Sequence, residues 1–242
     1  MRSSPRLFVI AAFALFVVLV YPLRETLVDD TYIHLVYARN LAETGELSFN
    51  RGEPAYGATS PLWVGLLALL YGAGADPIAG CRVLSWLSAL CSIALVFRLA
   101  RRAGCDHFAA VCAAFVMSAE AWFLRWSAVG METSFATLAV LFALDRAFSA
   151  GGGARDAVLF GLALFAAALA RPEALLLAPL ALIVLLAGRG ARRRGAALSI
   201  AREVLLPSGA WLAVRYGPGG ATWRGRLAHP FRVGRALLRS TH

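Results

Sequence analysis

Asp29 and Asp30 stand side by side just after the first apolar run, and carboxylates are the groups from which general bases and cation sites are made. Three uses fit the pair. One carboxylate can serve as a general base, held ionised by the positive end of a helix starting behind it. Both together can hold a divalent cation through oxygen ligands. Or both are solvated, with Asp30 capping a helix that begins at Thr31 by accepting from its first-turn amides. His34, one turn past Asp30, is spaced to hydrogen-bond that carboxylate or to sit on the helix's polar face. The four cysteines, Cys81, Cys91, Cys105 and Cys112, form no CxxC pair. They read as small thiols buried in helices and not as metal ligands.

The elements that must position the acidic pair are set by an apolar composition. The 242 residues are 60% hydrophobic and 16% charged, where a soluble domain is nearer ~50% and ~25%. That excludes an ordinary globular protein, a disordered chain and a disulfide-stapled module. All 24 cations are Arg, and the net charge is +10. A basic balance can mean nucleic acid. These bases instead lie between apolar runs and not along a polar face, so the partner is a lipid bilayer and not nucleic acid.

Residues 7–23 form an apolar run behind Arg2 and Arg6, near the ~20 residues a span needs. No small-x-small cleavage site follows before Arg24, so the run is expected to be a retained first span with a cytoplasmic N-terminus. Residues 24–80 then form an external loop. Within it a helix from Thr31 to a left-handed cap at Gly45 carries Ile33, Val36, Tyr37, Asn40 and Leu41 at helical spacing, and is expected to lie along the interface. Residues 48–61, rich in Gly, Pro, Ser and Asn, read as loop. Residues 62–75 are too short to span and read as a second interfacial or re-entrant helix.

Apolar stretches then recur at 81–100, 107–124, 131–149, 156–170 and 174–188, with a weaker one at 197–214. Their junctions alternate. Arg101 with Arg102, Arg146 with Arg155, and Arg189 with Arg192, Arg193 and Arg194 fall at every second break, and cytoplasmic loops hold the Arg excess. The other breaks carry Arg125 with Glu132 and Arg171 with Glu173, which places them outside with the Asp pair. The expected fold is all-α and polytopic, with about six to seven spans. The domain covers residues 1–214. Residues 215–242 form a basic tail with six Arg and no acid. It is either not a native continuation of the domain or a disordered stretch lying against anionic lipid.

Several motifs in this frame resemble the first external loop of GT-C-type membrane glycosyltransferases, closest to the bacterial arabinofuranosyltransferase-like branch. They are Asp29-Asp30 with Tyr32; Tyr37-Ala38-Arg39-Asn40; Phe49-Asn50-Arg51-Gly52-Glu53; and Thr59-Ser60-Pro61-Leu62-Trp63. Downstream, Gly130-Met131-Glu132-Thr133 is similar to the branch's Gly-Leu-Glu-Thr, and Ala170-Arg171-Pro172-Glu173 to its Thr-Arg-Pro-Glu. His34 and Leu35 depart from it, standing where the branch has Phe-Arg, so a cation available to a donor phosphate is missing.

The resemblance implies transfer of a sugar from a polyprenyl-phosphate donor to an external glycan, lipid or protein acceptor, with inversion, in a bacterial plasma membrane. By the same resemblance Asp30, or Asp29, deprotonates the acceptor hydroxyl. Arg171, with Arg39 second, stabilises the departing phosphate, unless each only snorkels to the interface. Glu132 orients the acceptor or pairs with Arg125. Tyr37, Tyr56 and Trp63 stack on sugar or belong to an interfacial aromatic belt. Members of the branch continue through more spans and an external C-terminal domain, so an inactive fragment or scaffold is one alternative. A transporter is another, and it would need ionisable groups within the spans.

Overall fold

Asp76 opens the longest helix among the described residues. Its side chain accepts from the Ala79 amide at 2.7 Å, and Pro77 follows at the first helical position, where its missing N–H costs nothing. The resulting α4 (Pro77–Arg102) runs 26 residues, about 39 Å. The computed structural model describes residues 5–54, 57–149 and 154–176. Around α4 it arranges α1 (Pro5–Val20), α2 (Asp29–Thr44), α3 (Pro61–Gly72), α5 (His107–Ala119), α6 (Ala121–Ala128), α7 (Thr133–Ser149) and α8 (Ala154–Ala170). The described residues are all-α apart from a two-stranded hairpin of β1 (Ser48–Asn50) and β2 (Glu53–Pro54). Short 3₁₀ turns at Tyr21–Leu23 and Pro172–Leu176 follow α1 and α8.

The most extensive helix pairing is α4 with α7. Ser85, Ser88 and Ser92 of α4 and Ala136, Ala139 and Ala143 of α7 are all buried, and such small side chains let two backbones approach closely. The Ser88 and Ser92 hydroxyls donate back to Leu84 and Ser88 of their own helix, which keeps their polar atoms satisfied without a neighbour. The two helices are parallel. The start of α4 meets the start of α7, where Ser85 Oγ lies 3.5 Å from the Met131 carbonyl. The end of α4 meets the end of α7, where Arg98 and Arg102 reach Asp145.

Two apolar cores follow. One joins Phe16 and Val20 of α1, Ala89 and Ile93 of α4, Ala114 of α5 and Leu124 of α6. The other seats Tyr37 of α2 and Trp63, Val64 and Leu67 of α3 against Cys81. The hairpin is tied to α2 by Asn40, whose Nδ2 donates to the carbonyls of Ser48 and Phe49 at 2.9 and 3.0 Å.

Several local expectations are corrected. Asp30 is not a cap: the helix begins at Asp29 behind an extended Val28, and both carboxylates lie in its first turn. The left-handed cap at Gly45 is present, with φ +74° and its amide on the Leu41 carbonyl. The buried face of α2 is only in part the expected stripe: Tyr37 and Asn40 are buried and Leu41 packs against the same core, but Ile33 is not part of it. Thr31, His34, Tyr37, Ala38 and Asn40 point inward while Ile33 is exposed, because the helix packs on polar partners at its N-terminal end. Residues 48–61 are not wholly loop, since the hairpin turns at Gly52 with φ +77°.

The stretch 107–124 is broken at Glu120, whose carboxylate caps α6 by accepting from Trp122 and Phe123 amides at 3.1 and 2.5 Å. Trp63 and Tyr37 are buried in a core and form no interfacial belt; among the described residues the exposed aromatics are Tyr21, Tyr32, Phe108, Trp122 and Phe142. Of the cysteines only Cys81 is buried, because the other three lie on outward faces of α4 and α5 or at their junction.

Among the described residues α4 alone is long and apolar enough by itself to cross a membrane. The pair α5 and α6 passes together, bent by 52°. Leu7–Leu23, Pro61–Gly72 and Val158–Ala170 are shorter apolar helices. The stretches 174–188, beyond Leu176, and 197–214, the arginines 189–194, the tail 215–242 and Tyr56 lie outside the described residues.

Candidate functional site

A cleft of about 570 Å³ opens where the first turn of α2, the residues before α3, the start of α7 and the end of α8 come together. It is lined by Asp30, His34, Ser60, Glu132, Arg171 and Glu173, among others. That volume is in the range of small-molecule pockets, ~300–1,000 Å³.

Each polar side chain is delivered by a local rule. Asp30 sits in the first turn of α2, where the helix dipole favours a carboxylate. His34 follows four residues on, so it lies one turn deeper on the same face. Glu132 is delivered by a glycine. Gly130 has φ +70°, and a Cβ there would lie 2.6 Å from Cys81 Sγ, so only glycine allows the chain to turn so close to α4. Directly after that turn the Glu132 carbonyl accepts from the Ala136 amide at 2.8 Å and starts α7. Arg171 ends α8, because Pro172 cannot continue the helix and restricts the residue before it. A hydrogen bond from Thr31 Oγ1 to the Val129 carbonyl, 2.8 Å and buried, locks α2 to the turn that carries Glu132.

The charged groups then meet. Arg171 Nη2 lies 3.0 Å from Glu132 Oε1 and donates to Thr133 Oγ1 at 3.0 Å. The other carboxylate oxygen, Oε2, lies 3.7 Å from His34 Nδ1, too far for a hydrogen bond. Glu132 is 3% exposed and His34 4%, so both are withdrawn from bulk water. Burial pulls the His34 imidazole below its ordinary 6.5, against the opposing pull of the Glu132 and Asp30 carboxylates and with the help of Arg171. His34 Nδ1, Glu132 Oε2, Arg171 Nε and Ser60 Oγ are buried without a hydrogen-bond partner. Unsatisfied buried polar atoms are rare and costly, about 1–3 kcal/mol each. Four around one cleft mark a place built to receive polar groups.

The expected site residues divide. Asp30, His34, Glu132 and Arg171 come together. Asp29, although adjacent in sequence, is exposed and does not line the cleft, since successive helical residues do not face the same way. Among the described residues no three His, Cys, Asp or Glu side chains gather to hold a metal ion, so the Asp29–Asp30 cation site has no third ligand. Arg39 is also apart, exposed on α2 beside Glu43. Tyr37 does not line the cleft but supports it: its hydroxyl fills the space a Cβ at Gly57 would need, and Gly57 lines the wall. Arg125 does not pair with Glu132; its guanidinium lies over the Trp122 and Trp126 rings at 5.6 and 5.9 Å.

Residues not singled out beforehand join the cleft. Ser60, Met131 and Glu173 line it, and Thr133 holds Arg171. All four lie inside the quoted motifs, which was the available signal. No family model matches this chain, and no curated protein matches it.

Proposed function

We propose that this chain is the catalytic part of a membrane glycosyltransferase, moving a sugar from a polyprenyl-phosphate donor to an external acceptor with inversion. The observation that carries the reading is the meeting of a carboxylate, Asp30, and a cation, Arg171, in one cleft walled by buried, unpartnered polar atoms. An inverting transfer needs that pair of functions. Asp30 takes the proton of the acceptor hydroxyl as its oxygen attacks the anomeric carbon. The bond from that carbon to the phosphate oxygen breaks, and the polyprenyl phosphate leaves with the electron pair. Arg171 meets the negative charge growing on it. Glu132 holds Arg171 in place through Oε1 and presents Oε2 to hydroxyls of the substrate.

The cleft lies at the α4 end remote from Arg98 and Arg102. In a polytopic arrangement of about six to seven spans with a cytoplasmic N-terminus, that end is external in a bacterial plasma membrane. Placing Asp30 in the cleft and Asp29 outside it separates their roles. Membranes carrying Asp30→Asn are expected to lose 10²–10⁴-fold of sugar transfer from a radiolabelled polyprenyl-phosphate sugar. Asp29→Asn is expected to stay near wild type. Wild-type rates in both variants would sink the base assignment.

A further inference from the structure

The inner wall of the cleft holds a pair of polar atoms that neither the proton nor the phosphate needs. His34 Nδ1 and Glu132 Oε2 lie 3.7 Å apart. Neither has a hydrogen-bond partner among the described residues, and both residues line the cleft. Ser60 Oγ, fully buried in the same lining, has none either.

The chemistry of these atoms selects their occupant. Glu132 is ion-paired with Arg171 through Oε1, so Oε2 is a carboxylate oxygen that can only accept. Burial lowers the proton affinity of the His34 ring, which is therefore neutral at neutral pH. A carboxylate oxygen facing Nδ1 favours the tautomer whose proton is on that nitrogen, and Nδ1 is then a donor. An anion would suit Nδ1 but be repelled by Oε2. A cation would suit Oε2 but face the Nδ1 proton. A hydroxyl meets both, since its oxygen accepts from Nδ1 while its own proton goes to Oε2. Atoms 3.7 Å apart leave room for one oxygen about 2.8 Å from each. The gap is held by the fold: Arg171 anchors Glu132, and Thr31 ties the helix of His34 to the turn before Glu132. Ser60 Oγ, which both donates and accepts, suits a neighbouring hydroxyl.

We propose that His34 and Glu132 form a specificity-determining subsite that binds one free ring hydroxyl of the transferred sugar. That the occupant is the transferred sugar rests on the transferase reading; the donor and acceptor that select a hydroxyl do not. His34 lies one turn from Asp30 on the same face of α2, so a ring held by this hydroxyl stands beside the base.

The test uses the full chain in nanodiscs with polyprenyl-phosphate arabinofuranose, mannose and glucose. Each is also prepared with single ring hydroxyls replaced by hydrogen or by fluorine. Binding is read from the nitrogen NMR signals of the His34 ring, and transfer as kcat/KM. For one ring hydroxyl, replacement is expected to abolish the His34 shift and to cost wild type about 10²-fold or more in kcat/KM. Fluorine is close to a hydroxyl in size but cannot donate, so it should fail as hydrogen does. In His34→Phe that penalty is expected to shrink to about fivefold or less, because the donor that reads the hydroxyl is gone. His34→Asn, whose amide N–H stands in for Nδ1–H, should keep most of it. Comparing one donor across variants cancels the substituent's own effect on the anomeric carbon.

Equal penalties in wild type and His34→Phe overturn the proposal, and mark His34 as merely structural. So does a fluorinated series handled like the parent sugars, or a His34 signal that none of the donors moves. Sugar transfer by wild type in those cases leaves the transferase reading standing. A hydroxyl-dependent His34 shift without any transfer upholds the subsite and sinks the transferase reading. If His34→Phe does not fold, the wild-type shift with parent and fluorinated donors decides.

Discussion

His34 is the residue whose chemistry changes most between chain and fold. On an isolated helix it is an ordinary imidazole; here it is buried beside Glu132, Asp30 and Arg171, and burial lowers its affinity for a proton. The unfolded chain therefore binds more protons than the native state once the pH drops below the free value of 6.5. Stability should be constant above that pH and fall as the solution is acidified toward the lowered native value. Thermal unfolding in detergent at pH 7.5 and 5.5 checks this, and His34→Gln is expected to flatten the dependence. An unchanged pH slope in that variant would show that His34 contributes none of it. Arg171 has the complementary role. On the proposed transfer, replacing it with Gln removes the cation assigned to the leaving phosphate and is expected to cost about 10²–10³-fold in transfer rate. Replacing Arg39, exposed and outside the cleft, should leave the rate near wild type. Both rates come from the radiolabelled-donor assay.

At the scale of elements, the site depends on how turns present helix ends. Asp30 and Glu132 both stand at helix N-termini, and Arg171 stands at a C-terminus stopped by Pro172. Each is where the dipole favours its charge. The junction that brings them together is the turn at Gly130, pressed against Cys81. Gly130→Ala puts a methyl group into that contact and a side chain at φ +70°. The expected cost is about 1–3 kcal/mol, seen as a lower thermal midpoint together with reduced transfer. Adding Cys81→Ala should recover the part due to the contact and leave the part due to the backbone. No recovery in the double variant would rule out the close approach as the cause.

The whole molecule is polarised along α4. One end gathers Asp30, His34, Glu132 and Arg171; the other gathers Arg98, Arg102, Asp145 and Arg146. From Cys81, beside the first, to Arg98 the helix rises about 25 Å. Among the described residues, the junctions at Arg101–Arg102 and at Arg146 thus lie at one end of the bundle, and those at Glu132 and Arg171 at the other. Asp145 belongs to a paired cluster toward the ends of α4 and α7. A membrane-impermeant maleimide tests the orientation. With the other cysteines removed, Cys105 in the α4–α5 junction is expected to react only in inverted vesicles, and Glu173→Cys only in right-side-out ones. Both reacting from the same side would refute the arrangement.

Helix identity, the Gly45 cap and the break before Pro172 were legible from the residues, because hydropathy, φ preferences and capping act within a few positions of the chain. The charged junctions were legible for the same reason. The break at Glu120 was not, since an acid ending an apolar stretch reads equally as the end of a span. Nor was the placing of Asp30, but not Asp29, in the cleft, which turns on the direction α2 faces. That direction follows from Thr31 bonding Val129, 98 residues away, and no local pattern contains it. Glu132 pairing with Arg171 instead of Arg125, and three arginines closing on Asp145, were likewise decided by packing. Sequence alone determined an all-α, strongly apolar chain with its few charges at element ends. Tertiary structure alone decided which charges meet, because contact between distant residues depends on how whole helices dock.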